Sequence, residues 1–382
     1  MSAVYDLTTV SGRWKFLHNT FDTETFAAHA IAAHEANPED LPSAVQCAEA
    51  FGTIGDFDKK LQQIEKVVER NPRSFRARLS LGLELLARGE YKRGWPYYRS
   101  RFAMQSVVND APSDLPNRRW RGQSIEGKSV FLVKEQGLGD TLQFVRYANK
   151  LQTLGARTYL NVQPQLRPLL RLSPAVGPVL SANENVDFHY WSYLQELLPF
   201  LNGHLSEVER TGAYISAPPR RSPFTFLSSS GKPLRIGLAW SGSPKFPGNT
   251  FRSVPLDCFR PLADLEGCEL FSLMPPGPSA EISFQGSQNW ITDLSGITSP
   301  FAELARAVAA MDVIVTVCTS IAHLAGSMGK PVVILLNTLN DWRWGRESAE
   351  TPWYPSATLI RQKKLGEWSE PIEETIDFLS GL

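Results

Sequence analysis

Two apolar runs, separated by a polar loop and a short helix of small residues, leave residues 311–336 few folds to choose from. Met311-Asp312-Val313-Ile314-Val315-Thr316-Val317 reads as a buried strand, and Cys318-Thr319-Ser320 as a loop. Ile321-Ala322-His323-Leu324-Ala325-Gly326-Ser327-Met328 reads as a short helix, and residues 330–336 as the next strand. This predicts a parallel βαβ unit inside an open α/β sheet. A loop that leaves a parallel strand and starts a helix presents backbone N–H groups and the positive end of the helix dipole, so it suits an anion. The same spacing also suits an ordinary βαβ unit in which Thr319 and Ser320 only cap the helix.

The rest of the chain alternates in the same manner. Strands are expected at 129–133, 158–162 and 177–181, with helices at 141–154, 165–172 and 192–201. A Pro- and Ser-rich break at 217–232 reads as a linker, after which strands at 234–240 and 269–274 and helices at 256–265 and 301–310 lead into the 311–336 unit. Two Rossmann-like domains flanking a cleft are therefore expected. Another plausible linker, with Pro, Asp and Arg but no periodicity, covers 109–121.

The first hundred residues follow a different period. Gly55-Asp56-Phe57 recurs as Gly89-Glu90-Tyr91, a shift of 34 residues, and Pro38/Pro72, Ala48/Gly82 and Phe51/Leu85 share it. This is the pattern of tetratricopeptide helix-turn-helix repeats, in which a small residue lets paired helices approach and a glycine turns the chain between them. Residues 41–74 form a complete repeat, 75–105 a second, and the stretch before Pro38 a degenerate one. A plain helical bundle is the competing reading.

Lys plus Arg and Asp plus Glu are each 39, a formal net charge of zero, which argues against nucleic acid or an anionic membrane as partner. Cys47, Cys258, Cys268 and Cys318 lack C-x-x-C spacing, so reduced thiols are expected rather than a disulfide frame or zinc site. No apolar run approaches a bilayer span and no leader pattern opens the chain, so a cytoplasmic location is expected. No His/Cys/Asp/Glu set has metal-ligand spacing, so no metal or cofactor is expected.

Three loops carry the candidate chemistry. Glu135-Gln136-Gly137-Leu138-Gly139-Asp140 joins the first strand to the first long helix; its glycines allow close backbone approach. Asp140, kept ionised by the helix start, is placed to take a proton from a hydroxyl, although the same residues suit an N-capping Asp with structural glycines. Trp240-Ser241-Gly242-Ser243-Pro244-Lys245, with Arg252 further along, offers small residues and cations to a diphosphate, or is simply a solvated loop. His323 lies one turn into the helix after Cys318, where a lone histidine is commonly structural. Asp341-Trp342-Arg343-Trp344 and Trp353-Tyr354 add aromatic surface that serves either stacking on a ligand or packing at a domain edge.

Taken in order, residues 135–147 (EQGLGDTLQFVRY), 237–252 (GLAWSGSPKFPGNTFR), 318–331 (CTSIAHLAGSMGKP), 341–344 (DWRW) and 352–355 (PWYP), behind the repeats, resemble bacterial tetratricopeptide-repeat glycosyltransferases. Those are related to the ADP-heptose heptosyltransferase family and have the GT-B fold. The resemblance implies helical repeats over 1–115, an acceptor-side Rossmann-like domain over 116–225 and a nucleotide-sugar domain over 226–382. It implies a metal-independent, inverting transferase with a nucleoside-diphosphate sugar as donor and no further cofactor.

Carried over by position, Asp140 would deprotonate the acceptor hydroxyl. Ser241, Gly242, Lys245, Arg252, Thr319, Ser320 and His323 would surround the donor diphosphate, with Gln136, Gly137, Gly139, Cys318, Asp341 and Trp342 near the sugar or acceptor. A protein or peptide acceptor would be recruited by the repeats, whose arrays also self-associate in many proteins, making a homo-oligomer an open expectation. One departure stands out: the family usually has Asp where this chain has Cys318. A thiol accepts a sugar hydroxyl's hydrogen bond poorly and carries no dependable charge at neutral pH. A catalytically silent scaffold that uses its repeats for partners is therefore the alternative function.

Overall fold

The computed structural model describes residues 5–104, 112, 115–173, 176–181, 184–201, 212–219 and 234–382. Six helices open the chain: α1 (Val10–Thr20), α2 (Thr23–Ala36), α3 (Leu41–Thr53), α4 (Phe57–Arg70), α5 (Phe75–Ala87) and α6 (Tyr91–Tyr98). Thr9, Asp22, Asp40, Asp56 and Ser74 cap the first five, each side chain accepting a first-turn backbone N–H. The repeated glycines do the same work twice: Gly55 (φ 80°) turns α3 into α4 and Gly89 (φ 79°) turns α5 into α6. At the small-residue position, a Cβ on Gly82 would lie 2.4 Å from the backbone nitrogen of Tyr98, so α5 and the end of α6 touch backbone to backbone.

Two parallel sheets follow. The first contains β1 (Ser129–Val133), β2 (Arg157–Asn161) and β3 (Tyr190–Tyr193) in the order β2-β1-β3. The second contains β4 (Leu234–Ala239), β5 (Cys268–Ser272), β6 (Thr292–Asp293), β7 (Val313–Val317), β8 (Val332–Leu336) and β9 (Ala357–Arg361), in the order β6-β5-β4-β7-β8-β9. Every residue of β7 and β8 is buried, as continuous apolar runs in a covered parallel sheet require. The expected α/β class, with paired Rossmann-like sheets behind an all-helical region, is present.

Several local expectations are corrected. The first two residues of the expected 192–201 helix, Ser192 and Tyr193, belong instead to strand β3, because Tyr190-Trp191-Ser192-Tyr193 is an aromatic run that packs well on a pleated surface; short helices begin only at Gln195. The 256–265 helix is a 3-10 helix, Leu256–Asp264, with Pro261 inside it. Residues 177–181 contribute a single bridge, Val179 to Leu160, and the 141–154 helix starts earlier and comes in two pieces, Leu138–Phe144 (α7) and Arg146–Thr153 (α8). Residues 220–232 of the Pro/Ser-rich break, and most of 109–114, lie outside the described residues.

The helical array packs on both sheet domains. Arg101, 1% exposed, is bonded to Glu135 (2.9 Å) and Glu196 (3.1 Å) of the first. Trp342 of the second inserts among Tyr91, Trp95 and Tyr98, ring centroids 5.8–6.2 Å away, and Arg346 Nη2 reaches the fully buried Glu84 at 2.6 Å.

Candidate active site

In the second sheet, β5 lies to one side of β4 and β7 to the other, so the chain connections reverse there and the loops leaving β4 and β7 part to leave a crevice. The first sheet reverses in the same way about β1. The loops after β1, β4 and β7 face one another across a cleft of about 710 Å³. Gln136, Gly137, Gly139 and Asp140 line it from the first sheet; Ser241, Gly242, Arg252, Cys318, Thr319, Ser320, His323 and Asp341 line it from the second.

Asp140 sits in the first turn of α7. Its Oδ2 accepts the Gly137 N–H (2.8 Å), so Gly137 is the N-cap and Asp140 reaches back to it from the third helical position rather than capping the helix itself, and Oδ1 accepts from Gln195 Nε2 (3.1 Å) and from Arg343 Nη2. An ionised carboxylate has about four lone-pair sites, so roughly one remains for a hydroxyl donor. Burial pushes the Asp140 carboxyl above the ordinary carboxylate range, Arg343 pulls it back and Asp341 pushes it further up. Burial therefore outweighs the expected dipole effect, and a proton acceptor gains strength from it.

Arg343 holds the two domains together. Its Nε donates to Gln143 of the first domain (2.7 Å), its Nη1 to Asp341 (2.9 Å) and its Nη2 to Asp140. In the sequence Arg343 stands out only as a lone cation among three aromatic or acidic neighbours of the DWRW block. Gln195 was missed entirely. It is 1% exposed, accepts from the Tyr98 hydroxyl (3.2 Å), and donates to Gln136 (3.2 Å) as well as to Asp140, so the end of α6 is wired to the Gly-Asp loop.

On the opposite wall, Arg252 lies flat on Gly242: a Cβ there would be 2.1 Å from its Nη2. Its Nε donates to Asn249 Oδ1 (3.0 Å), its Nη1 to the Cys318 carbonyl (2.6 Å), and Phe246 stacks on it. Asn249, also missed, takes the Gly242 N–H (3.0 Å) and donates to Ser241 Oγ (3.1 Å), fixing the loop. Lys245 is exposed and does not line the cleft.

Thr319 caps helix Ser320–Ser327, accepting the Ile321 N–H, so the capping role read as an alternative is made, while Ser320 and the helix start open into the cleft. His323 Nδ1 shares a 2.9 Å hydrogen bond with the Tyr354 hydroxyl, its ring stacks on Trp344, and burial lowers its pKa to about 3, so it is neutral. A Cβ on Gly139 would sit 2.6 Å from His323 Cδ2, so the two domains touch at this pair. Cys318 Sγ accepts from Trp344 Nε1 (3.0 Å), and burial, with Asp341 nearby, lifts its thiol to about 11. An inert thiol, not a nucleophile, occupies the position. Trp342 is 3% exposed, packs on Tyr91, Trp95 and Tyr98 of the helical region, and does not line this cleft.

Residues 279–372 match the family model described as glycosyltransferase family 9 (heptosyltransferase). That stretch carries the β7 loop, helix Ser320–Ser327, Asp341 and Arg343. Protein FlbA of Caulobacter vibrioides is 28% identical over 310 residues, covering 74% of this chain and 51% of FlbA, so the chain spans about half the length of this curated relative. Among solved structures, ADP-heptose lps heptosyltransferase II of E. coli is similar at 12% identity and a TM-score of 0.49, covering 66% of this chain and 98% of that one. A glycosyl transferase family 9 protein from Veillonella parvula is similar at 12% identity and a TM-score of 0.49, covering 67% and 91%. The described helices contain none long and apolar enough to cross a membrane.

Proposed function

We propose that this chain is an inverting glycosyltransferase that moves a sugar from a nucleoside-diphosphate donor to an acceptor hydroxyl, on a protein or peptide recruited by the repeats. The observation that carries the reading is the meeting of Asp140, from the first sheet, with Arg252 and the start of helix Ser320–Ser327, from the second, across one cleft. Arg252 and the helix start offset the donor's diphosphate charge, so the site has its own means of stabilising the leaving group without a metal. Leu273, Pro275, Phe301 and Leu304 give the far wall an apolar face suited to a base.

The acceptor oxygen attacks the anomeric carbon as the carbon–oxygen bond to the diphosphate breaks. The bonding pair leaves with the nucleoside diphosphate, and the hydroxyl proton passes to Asp140. One displacement inverts the anomeric centre. Asp341, which lines the cleft beside Cys318, supplies a carboxylate where the resembled family has one at position 318, and this favours an active enzyme over a silent scaffold.

Calorimetry against ADP, UDP, GDP and CDP tests the reading. One of these is expected to bind in the micromolar range, at least tenfold more weakly in Arg252→Ala. No binding at millimolar ligand overturns the donor site.

A further inference from the structure

A second cavity, of about 360 Å³, lies where the helical repeats meet the second sheet domain. Trp14, Phe57 and Trp342 give it aromatic walls, and Glu49 and Lys60 bring an ion pair (2.9 Å) to the repeat side. Asn337 and Trp342, 6% and 3% exposed, complete the lining from the second sheet domain.

The cavity adjoins the cleft. Arg252, Cys318 and Asp341 line both spaces, so a group joined to a diphosphate at Arg252 passes directly from one to the other. Aromatic walls with charges of both signs at the repeat side match a ring that is apolar on its faces and hydroxylated at its rim. The smaller space, next to the 710 Å³ cleft, has room for a sugar ring.

We infer that this chamber receives the sugar ring of the donor, so that the repeats, through Glu49, Phe57 and Lys60, share in choosing which sugar is transferred. The inference rests on the cleft being a nucleotide-sugar site. It also accounts for Cys318. At the mouth of the chamber, beside Asp341, an uncharged thiol admits the ring where a second carboxylate would add like-charge repulsion.

The test is calorimetry on the full chain with UDP, ADP and GDP, and with UDP-glucose, UDP-N-acetylglucosamine, ADP-glucose and GDP-mannose. At least one sugar nucleotide is expected to bind tenfold more tightly than its own diphosphate. Thr53→Trp, which fills the chamber from the repeat side, and the near-isosteric Asn337→Leu are expected to cut that advantage below twofold while leaving the diphosphate's Kd within twofold. Circular dichroism checks both folds, and Asn337→Leu alone decides if Thr53→Trp misfolds. Variants that keep the tenfold advantage, or a panel in which no sugar adds affinity, overturn the chamber but not the cleft. Absence of any nucleotide binding overturns both.

Discussion

The guanidinium of Arg343 reaches from the second sheet domain to the Asp140 carboxylate of the first, while the same side chain holds Asp341 at 2.9 Å and Gln143 at 2.7 Å. One buried cation thus fixes the cleft's width and sets the proton affinity of the group facing the acceptor. Burial raises Asp140 and Arg343 opposes that rise.

Replacing Arg343 with Gln removes the opposing charge. Asp140 then takes up its proton at higher pH, and the acidic limb of the transfer rate moves up by about one to two pH units. Stability falls as well, by about 3–5 kcal/mol, because buried carboxylates lose their partner. A pH–rate profile of Arg343→Gln that overlays the wild type contradicts the assignment.

Gly139→Ala tests the contact between the domains. The added Cβ would lie 2.6 Å from the ring of a buried histidine, which has no room to swing aside. Overpacking of this kind costs about 1–3 kcal/mol, and transfer should fall with it as α7 is forced away from helix Ser320–Ser327. Denaturant melts at unchanged midpoint would show that the two elements do not touch.

His323 makes stability depend on pH in a defined direction. Its folded pKa, about 3, lies below the ordinary histidine value, so the unfolded chain takes the proton first as pH falls. Its contribution is full above about pH 6.5 and is lost progressively toward pH 3, by about 1.4 kcal/mol per pH unit. In His323→Asn the slope of stability between pH 6 and 4 should be shallower by one proton; equal slopes would place a charged histidine in the folded state.

Cys318 is held as a thiol near 11 with its sulfur accepting from Trp344. Cys318→Ser should therefore keep sugar transfer within about tenfold of wild type, and iodoacetamide at pH 8 should leave Cys318 unmodified in the folded protein. Loss of all turnover in the serine variant, with rapid alkylation of the wild type, would assign the sulfur a covalent role.

The strands and loops of the cleft were legible because burial on both faces writes continuous apolar runs, as at 313–317 and 332–336, and because Gly137 and Gly139 mark a tight turn. The two turns between paired helices were legible through Gly55 and Gly89, whose positive φ no other residue adopts as easily. Arg343, Gln195 and Asn249 were not legible as site residues, since their roles come from partners 200, 55 and 7 residues away. Trp342 was legible as an aromatic near the site, but its packing on Tyr91, Trp95 and Tyr98 was not, since those partners lie on a helix distant in the chain. Strand β3 was hidden by overlap with the short helix that follows it directly.

The most direct test of the account is the rate of sugar transfer in Asp140→Asn against wild type, with nucleoside-diphosphate affinity measured on the same samples. A positioned base contributes about a hundred- to ten-thousandfold, so the variant should lose at least a hundredfold in rate while binding the nucleotide within about threefold of wild type. Equal transfer rates would contradict Asp140 as the group that takes the acceptor's proton.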